Sequence, residues 1–472
     1  MIHTDIAIIG AGPGGYVAAL RATQLGAQVV CIEKRWLGGV CLNIGCIPTK
    51  ALLRSAEVLA LVKEAAAYGV LVGEPRFDWS IAQARKERVV KRLVGGVGML
   101  LERAGVQVLE GTASFIRPNT LTVQLPDGEE TVVADNVIIA TGSRTLVVPI
   151  PGLDGPGVID STDALALDAL PESICIIGGG AIGLEFASLF STFGVQVTLV
   201  EMLPRLAPLM DASIGEALDR ALRRQGVDVL TETRVTRIEP TDSGSRVSMN
   251  TPEGEEQIEV ETVLSAIGRA PNVEDLGLEV LGLKPTRKGR QGPAQGIQVD
   301  DRMRTAVSGI YAIGDVAAEG PMLAHVASHQ GIVAVEDALG HPAVIDYTAV
   351  PSCIYSLPEA ASVGLSEAQA REQGYEVCVG TFTLAANGKA VAMGDTNGFV
   401  KVVARAAHGA VLGLHIVGPH ASDLILEGAM AIGLEATLDE IDHTIHPHPA
   451  LGEAIAEAAL AARDKALHLP RS

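Results

Sequence analysis

The sequence predicts an α/β fold in which two copies of one strand–turn–helix–strand unit each open a parallel sheet and an α+β domain closes the chain. Three observations carry this expectation. Residues 5–33 align with residues 173–201 without a gap; three later apolar strands end in glycine turns; and after about residue 345 the pattern changes to short strands and helical runs.

The first copy reads DIAIIGAGPGGYVAALRATQLGAQVVCIE and the second SICIIGGGAIGLEFASLFSTFGVQVTLVE. In each, an apolar strand meets a GxGxxG turn, Gly10, Gly12 and Gly15 in the first and Gly178, Gly180 and Gly183 in the second. An amphipathic helix then ends at a glycine (Gly26; Gly194), and a second strand ends in an acid (Glu33; Glu201). A lone glycine turn can be mere tight packing. The acid about 20 residues on completes a dinucleotide fingerprint: the glycines let a pyrophosphate approach the helix N-terminus, and the carboxylate accepts hydrogen bonds from a ribose. Two copies mean two Rossmann-like dinucleotide sites. Glu201 repels a 2′-phosphate, so the second site should prefer NAD to NADP; Arg205 nearby reads as a solvated cation rather than a phosphate clamp.

The later turns close residues 137–142 (VIIATG), 263–269 (VLSAIGR) and 310–315 (IYAIGD), each placing Gly where backbone can approach a cofactor. The proline-rich stretch 147–152 and Pro271-Asn272 flank the second copy and mark crossings between domains. The expected domains are therefore 1–148 for the first dinucleotide, 149–270 for the second, 271–345 completing the first site, and 346–472 at the C-terminus. That last domain should hold strands over 398–404 and 410–417 and helices over 422–433 and 450–467.

Hydrophobic residues at 48% and charged residues at 19% exclude a disordered chain. Lys plus Arg number 36 against 56 Asp plus Glu, a net charge of −20 with no long basic stripe, which excludes nucleic acid as a partner. No apolar run reaches the roughly 18 residues of a membrane span, and the first residues lack an export signal. A soluble, cytoplasmic protein with no membrane partner is expected. Six cysteines are too few for a disulfide scaffold, so any disulfide should be chemical rather than structural.

Cys41 and Cys46, in GGVCLNIGCIPTK, form the most informative pair. In a regular helix, residues five apart have Cα atoms roughly 8–9 Å apart, beyond the roughly 7 Å that a disulfide can span. They can bridge only if the helix is distorted, which Gly38, Gly39 and Gly45 permit and Pro48 assists by withholding a donor. Two buried thiols are the alternative, and zinc is another, although no further Cys or His pair at metal spacing follows. Cys31, Cys175, Cys353 and Cys378 read as inert. Near the other end, HTIHPHPALGEA holds His443, His446, His448 and Glu453. A single histidine is more often structural, but His448 with Glu453 five residues on offers a base and a carboxylate to orient it, as thiol chemistry requires.

On four blocks, GAGPGGYVAAL, GGVCLNIGCIPTK, GPMLAHVASHQG and TIHPHPALGE, the chain resembles the flavin disulfide reductases over essentially its whole length. Within them it is similar to the dihydrolipoamide dehydrogenases, the E3 components of 2-oxoacid dehydrogenase complexes, and residues 321–325 are the most specific to that branch. The resemblance implies FAD along the first copy, with its ribityl chain near Asp315, its ring near Lys50, and Ala324 and His325 bringing backbone to the pyrimidine edge. It implies that Lys50 pairs with Glu185, that Cys46 is the thiolate against the flavin, and that Cys41 is the interchange thiol. It adds Ala113, Thr141, Gly142, Val235 and Gly268 to the cofactor contacts, with NAD at the second copy. His448 and Glu453 would come from the partner subunit of a homodimer joined through the C-terminal domain. Dihydrolipoamide would then be oxidised through a Cys41–Cys46 disulfide, with His448 taking the proton and electrons passing through FAD to NAD. Lipoamide would arrive on another protein, a lipoyl domain of a 2-oxoacid dehydrogenase E2 component or the H protein of the glycine cleavage system.

Some positions depart from relatives. Val40 stands where many have Thr, Ala181 where glutathione reductases have a Tyr gate, and Met202 and Pro208 where they place phosphate-binding Arg. The last three argue against glutathione. Two other readings stay open: an NADH-dependent reductase of another small disulfide, and a flavin-bound NADH-sensing protein without turnover. Cys41, Cys46, His448 and Glu453 together speak against the second.

Overall fold

The computed structural model describes residues 1–286 and 295–470. Residues 287–294, part of the expected segment 271–345, and 471–472 lie outside the described residues. The chain divides into two compact units.

The first unit comprises Met1–Leu52, Ser80–Val147 and Gly268–Tyr347. Its sheet is built on Ile2–Ile9, which pairs in parallel with Val29–Glu33 on one side and with the long strand Gly128–Ile139 on the other. The far edge of that long strand is shared: its first half pairs antiparallel with Thr120–Leu125, its last residues in parallel with Ile310–Ala312. Ile6, Ile8, Ile138 and Ile139 are fully buried, which explains why these strands read as continuous apolar runs rather than alternating ones. Three parallel strands thus end side by side, and the turns that begin at Gly10, Ala140 and Ile313 meet at the C-terminal edge where α/β sheets bind ligands. The helices Pro13–Gln24 and Ala324–Ala338 lie in close contact at two glycines. A Cβ on Gly331 would fall 2.6 Å from the Gly14 carbonyl oxygen, and one on Gly14 would fall 3.0 Å from that of Ala327.

The second unit comprises Leu53–Trp79, Val148–Ile267 and Thr348–Ser472. It repeats the motif: Ser173–Ile177 lies between Gln196–Val200 and Thr262–Ser265, with Asp228–Leu230 and Val158–Ile159 at the edges, all parallel. The strands Arg234–Thr241, Gly244–Thr251 and Gly254–Val260 form a separate antiparallel sheet. The C-terminal part is the expected α+β domain. Its antiparallel strands run in the order Ser352–Ile354, Ala360–Gly364, Val411–Val417, Phe399–Arg405, Val377–Thr383, and the helices Ala421–Gly433 and Glu453–Ala461 share one core with them.

The helix expected over 450–467 is shorter, at Glu453–Ala461. Asp464 adopts a left-handed conformation (φ 55°), and Glu457 accepts hydrogen bonds from the Leu467 and His468 amides at 3.0 and 3.2 Å, folding the tail back. Asp211 ties the nucleotide-binding part of this unit to its C-terminal part. It caps the helix Ala212–Arg224 through the Ser213 amide, pairs with Lys401 Nζ at 2.9 Å and accepts from the Glu367 amide at 3.0 Å. Among the described residues, no helix is long and apolar enough to cross a membrane, and no side-chain cluster is suited to holding a metal ion.

Candidate active site

The glycines of the two fingerprint turns divide by what they face. A Cβ on Gly10 (φ +106°) would fall 2.3 Å from the Ala140 carbonyl oxygen, and one on Gly15 only 1.8 Å from that of Gly10. These two are glycine because backbone packs on backbone. Gly12 differs: its Cβ would meet nothing nearer than Gly39 Cα at 4.0 Å, and no side chain caps the helix that starts after it. In the second copy, Gly178 and Gly183 are crowded by backbone at 2.5 and 1.9 Å, while Gly180 has nothing within 4 Å and its helix Ala181–Thr192 is likewise uncapped. Open space before an uncapped helix N-terminus, with backbone amides pointing into it, suits a pyrophosphate. Both turns therefore fit a dinucleotide.

The acids are held by their own turns. Glu33 Oε2 accepts from the Ala11 amide and Oε1 from that of Arg35, both at 2.8 Å. Glu201 repeats this with the amides of Gly179 and Leu203 at 2.7 Å. Glu33 Oε1 also accepts from the Trp36 amide at 3.3 Å, so Glu33 Oε2 and both oxygens of Glu201 are the ones that keep a lone pair for a ribose hydroxyl. A cleft of about 410 Å³ opens beside Glu33, lined also by Lys34, Arg35, Gly111 and Thr112.

Thr141 and Gly142 are gripped by Asn272, which accepts from Thr141 Oγ1 at 2.7 Å and donates to the carbonyls of Thr141 and Gly142, each at 2.9 Å. Ala324 opens the helix Ala324–Ala338, also uncapped by any side chain. Asp315 Oδ2 accepts from Ser143 Oγ at 2.5 Å. Gly268 (φ +145°) turns the chain against Leu146 alone. Ala113 and Val235 are buried, the first paired in register with Val123 and the second in the core with Val200 and Met249, so only their backbone is placed to meet a ligand.

The helix carrying the cysteine pair breaks where the sequence allows it to. The helix Gly39–Ile44 stops at Gly45 (φ −146°, ψ −113°), and a new helix, Cys46–Lys63, begins on Cys46 itself. The two thiols lie within hydrogen-bonding reach across that break. The hydrogen bond with Cys46 is the main cause raising the Cys41 pKa, followed by burial and by the charge of Cys46, while Lys50 pulls it down. The hydrogen bond with Cys46 and burial thus hold the Cys41 thiol above its ordinary range. Gly38 and Gly39 seat this segment on the first nucleotide turn: the Gly38 amide donates to the Ala11 carbonyl at 2.8 Å, and a Cβ on Gly39 would fall 2.7 Å from Gly12 Cα. Cys31 and Cys175 differ, being fully buried in strands with thiols pushed up to about 12 by that burial.

His448 and Glu453 form a dyad in the second unit, with Nδ1 2.8 Å from Oε1. Glu453 is the first residue of its helix, and its Oε2 accepts from the Ala450 amide at 2.8 Å. Burial acts to raise its pKa, but the hydrogen bonds from Ala450 and His448 outweigh it and hold the carboxyl below its ordinary range. An ionised Glu453 selects the tautomer with the proton on Nδ1, leaving Nε2 as the basic nitrogen on a side chain that is 79% exposed. His446 is structural: 9% exposed, it sits between Glu427 and the Thr444 carbonyl, both at 2.9 Å. His443 ends the helix Leu438–His443. Glu185 is buried on the helix Ala181–Thr192 and accepts from the Tyr355 amide at 3.1 Å.

The first unit thus gathers Cys41, Cys46, Lys50, the first fingerprint turn and Asp315, and the second gathers the other turn, Glu185 and the dyad. Ser143, Arg269 and Asn272 escaped the reading of the sequence. The signal was available for two of them: Ser143 and Arg269 each directly follow the glycine of a turn already singled out.

The pyridine nucleotide-disulphide oxidoreductase family model matches residues 4–331, and the model of that family's dimerisation domain matches residues 350–459. The chain is 43% identical to a dihydrolipoyl dehydrogenase of Bacillus subtilis (strain 168), covering 98% of this chain and 99% of the relative. It is 44% identical to one from Mycobacterium tuberculosis (strain ATCC 25618 / H37Rv), covering 97% of each. Among solved structures it resembles LpdA from Mycobacterium tuberculosis (TM-score 0.88, 29% identity, 97% of this chain and 99% of that one). It also resembles the HOCl-induced flavoprotein disulfide reductase RclA from Escherichia coli (TM-score 0.84, 30% identity, 96% and 99%). With matches that run through both fingerprint turns, the cysteine pair and the dyad, the chain belongs to the pyridine nucleotide-disulphide oxidoreductase family.

Proposed function

We propose that this protein is a dihydrolipoyl dehydrogenase, which oxidises protein-bound dihydrolipoamide and reduces NAD+. The observation that carries this is the Cys41–Cys46 pair, set across the Gly45 break and seated on the first nucleotide turn by Gly38 and Gly39. Relatives at 41–44% identity over nearly the whole chain, all named dihydrolipoyl dehydrogenase, support the same reading.

On this reading residues 1–148, completed by 271–345, take FAD, residues 149–270 take NAD, and residues 346–472 join two copies. With Cys41 and Cys46 as a disulfide, a lipoyl thiolate attacks Cys41 Sγ, and Cys46 leaves as a thiolate. The second lipoyl sulfur then attacks its own mixed disulfide, closing the lipoyl ring and releasing Cys41. Two electrons have passed to the protein pair. The lipoyl thiols must lose protons to attack, and Nε2 of His448, from the second copy and oriented by Glu453, accepts one of them; Cys41 keeps the other. Lys50 and Glu185 are the residues that would serve the flavin ring. Bound FAD and NAD supply the transfer of those two electrons from the dithiol to the nicotinamide as hydride.

The lipoyl group arrives on a lipoyl domain of a 2-oxoacid dehydrogenase E2 component or on the glycine cleavage H protein, and the work is done in the reducing cytoplasm, where buried thiols such as Cys31 and Cys175 persist. The test is NAD+ reduction by free dihydrolipoamide, set against NADPH oxidation by glutathione disulfide. Rapid turnover in the first assay and none in the second is expected. Turnover of glutathione disulfide alone, or of neither substrate, would overturn the assignment.

A further inference from the structure

Three turns of the first unit place a glycine at positive φ, Gly142 (+70°), Gly268 (+145°) and Gly314 (+70°), and the residue after each joins one hydrogen-bonded chain. Ser143 Oγ donates to Asp315 Oδ2 at 2.5 Å, Arg269 Nε donates to Ser143 Oγ at 2.7 Å, and Arg269 Nη2 donates to the Ser143 carbonyl at 2.7 Å. The residues are 126 and 172 positions apart in sequence, and Ser143 is buried. A left-handed turn is what lets a strand end and its next side chain swing to the same point, so the three glycines and the three partners are one feature.

The chain has a direction. Arginine only donates, so Ser143 Oγ must be the acceptor of the Nε hydrogen. A hydroxyl carries one proton, and with its oxygen occupied by Arg269 that proton is aimed at Asp315. The second bond from Arg269 to the Ser143 carbonyl fixes the same residue at two points, so neither partner rotates without breaking both. Asp315 is thereby held as an acceptor in one orientation on the turn Gly314–Val316, at the edge where the three strands end.

We propose that Arg269, acting through Ser143, is a positioning residue that fixes the Asp315 carboxylate to receive hydroxyl groups of the ribityl chain of FAD. This rests on the reading that Asp315 faces that chain. The glycines that follow Thr141, Ile267 and Ile313 then serve this relay as well as the approach of backbone to cofactor.

The experiment is a double-mutant cycle on FAD affinity, read from the free-flavin fluorescence released when each purified holoenzyme is diluted. Ser143→Ala should weaken FAD about tenfold in the wild-type background and less than about twofold in an Asp315→Asn background, because the hydroxyl acts only through the carboxylate. Arg269→Lys keeps the cation and one donor but not the two-point grip. It should weaken FAD about threefold in the first background and not in the second, and it carries the cycle if Ser143→Ala gives no soluble protein. Equal losses in both backgrounds would mean that Ser143 and Arg269 merely brace the fold, and no loss from either would also overturn the relay. If Asp315→Asn itself binds FAD as tightly as the wild type, the failure lies with the reading of Asp315 rather than with the relay alone.

Discussion

At Cys41 and His448 the chemistry depends on where single protons sit. The hydrogen bond with Cys46 holds the Cys41 thiol above its ordinary range, and the carboxylate of Glu453, held below its own, orients the His448 ring through Nδ1. Removing either sulfur leaves no disulfide to exchange, so Cys41→Ser and Cys46→Ser should each lower dihydrolipoamide turnover by at least about a thousandfold. His448→Gln should lower kcat by about 10²–10⁴-fold, the usual worth of a general base. Glu453→Gln, which keeps an acceptor but loses the charge, should cost about tenfold in kcat at unchanged flavin content. Steady-state kinetics with dihydrolipoamide and NAD+ checks all four, and a Glu453→Gln enzyme within twofold of wild type would remove the carboxylate from the site. Both pairs were legible in the sequence because their members lie five residues apart. The Ser143–Arg269–Asp315 relay was not, since local spacing says nothing about residues brought together by three strand ends from distant parts of the chain.

At the scale of elements, the fingerprint turns were readable because backbone contact leaves no room for a side chain at Gly10, Gly15, Gly178 or Gly183. The end of the last helix was not. The apolar period continues past Ala461, and the sequence gives no sign that Glu457 would collect the amides of Leu467 and His468. On the proposed function Glu201, fixed by the Gly179 and Leu203 amides, puts a negative charge where a 2′-phosphate would lie, next to the exposed Met202. Glu201→Ala combined with Met202→Arg should raise the NADPH-to-NADH ratio of kcat/KM at least about tenfold, with some loss of stability because two amides lose their acceptor. A wild-type enzyme that already used both nucleotides equally would contradict this.

His415, in the strand Val411–Val417, is fully buried, with Nδ1 2.6 Å from Ser362 Oγ and Nε2 3.1 Å from the Leu365 carbonyl. Burial pushes it down to about 4, with Lys401 acting the same way and Asp211 and the Leu365 carbonyl opposing. An unfolded chain protonates this imidazole below about 6.5, whereas the folded one refuses the proton until about pH 4. Stability should therefore fall as pH drops from about 6.5 to 4, by on the order of a few kcal/mol, and level off below. Thermal unfolding across that range should show the slope in the wild type and a shallower one in His415→Gln; parallel slopes would remove His415 as the cause.

For the whole molecule, the second nucleotide-binding part and the C-terminal domain form one compact unit, held by Asp211, Lys401 and Glu367. The sequence announced the C-terminal α+β domain by its change of pattern, but not this buried ion network, whose members are 156 and 190 residues apart. The His448 side chain is exposed at the surface of that domain, and on the proposed function it serves the cysteine pair of another chain. The direct measurement is the dihydrolipoamide–NAD+ activity of a purified heterodimer carrying Cys46→Ser on one chain and His448→Ala on the other. A two-fold dimer with sites shared between chains keeps one intact site, so about half of the wild-type activity per dimer is expected, against none for either mutant homodimer. A heterodimer as inactive as both homodimers would show instead that each site takes its base from its own chain.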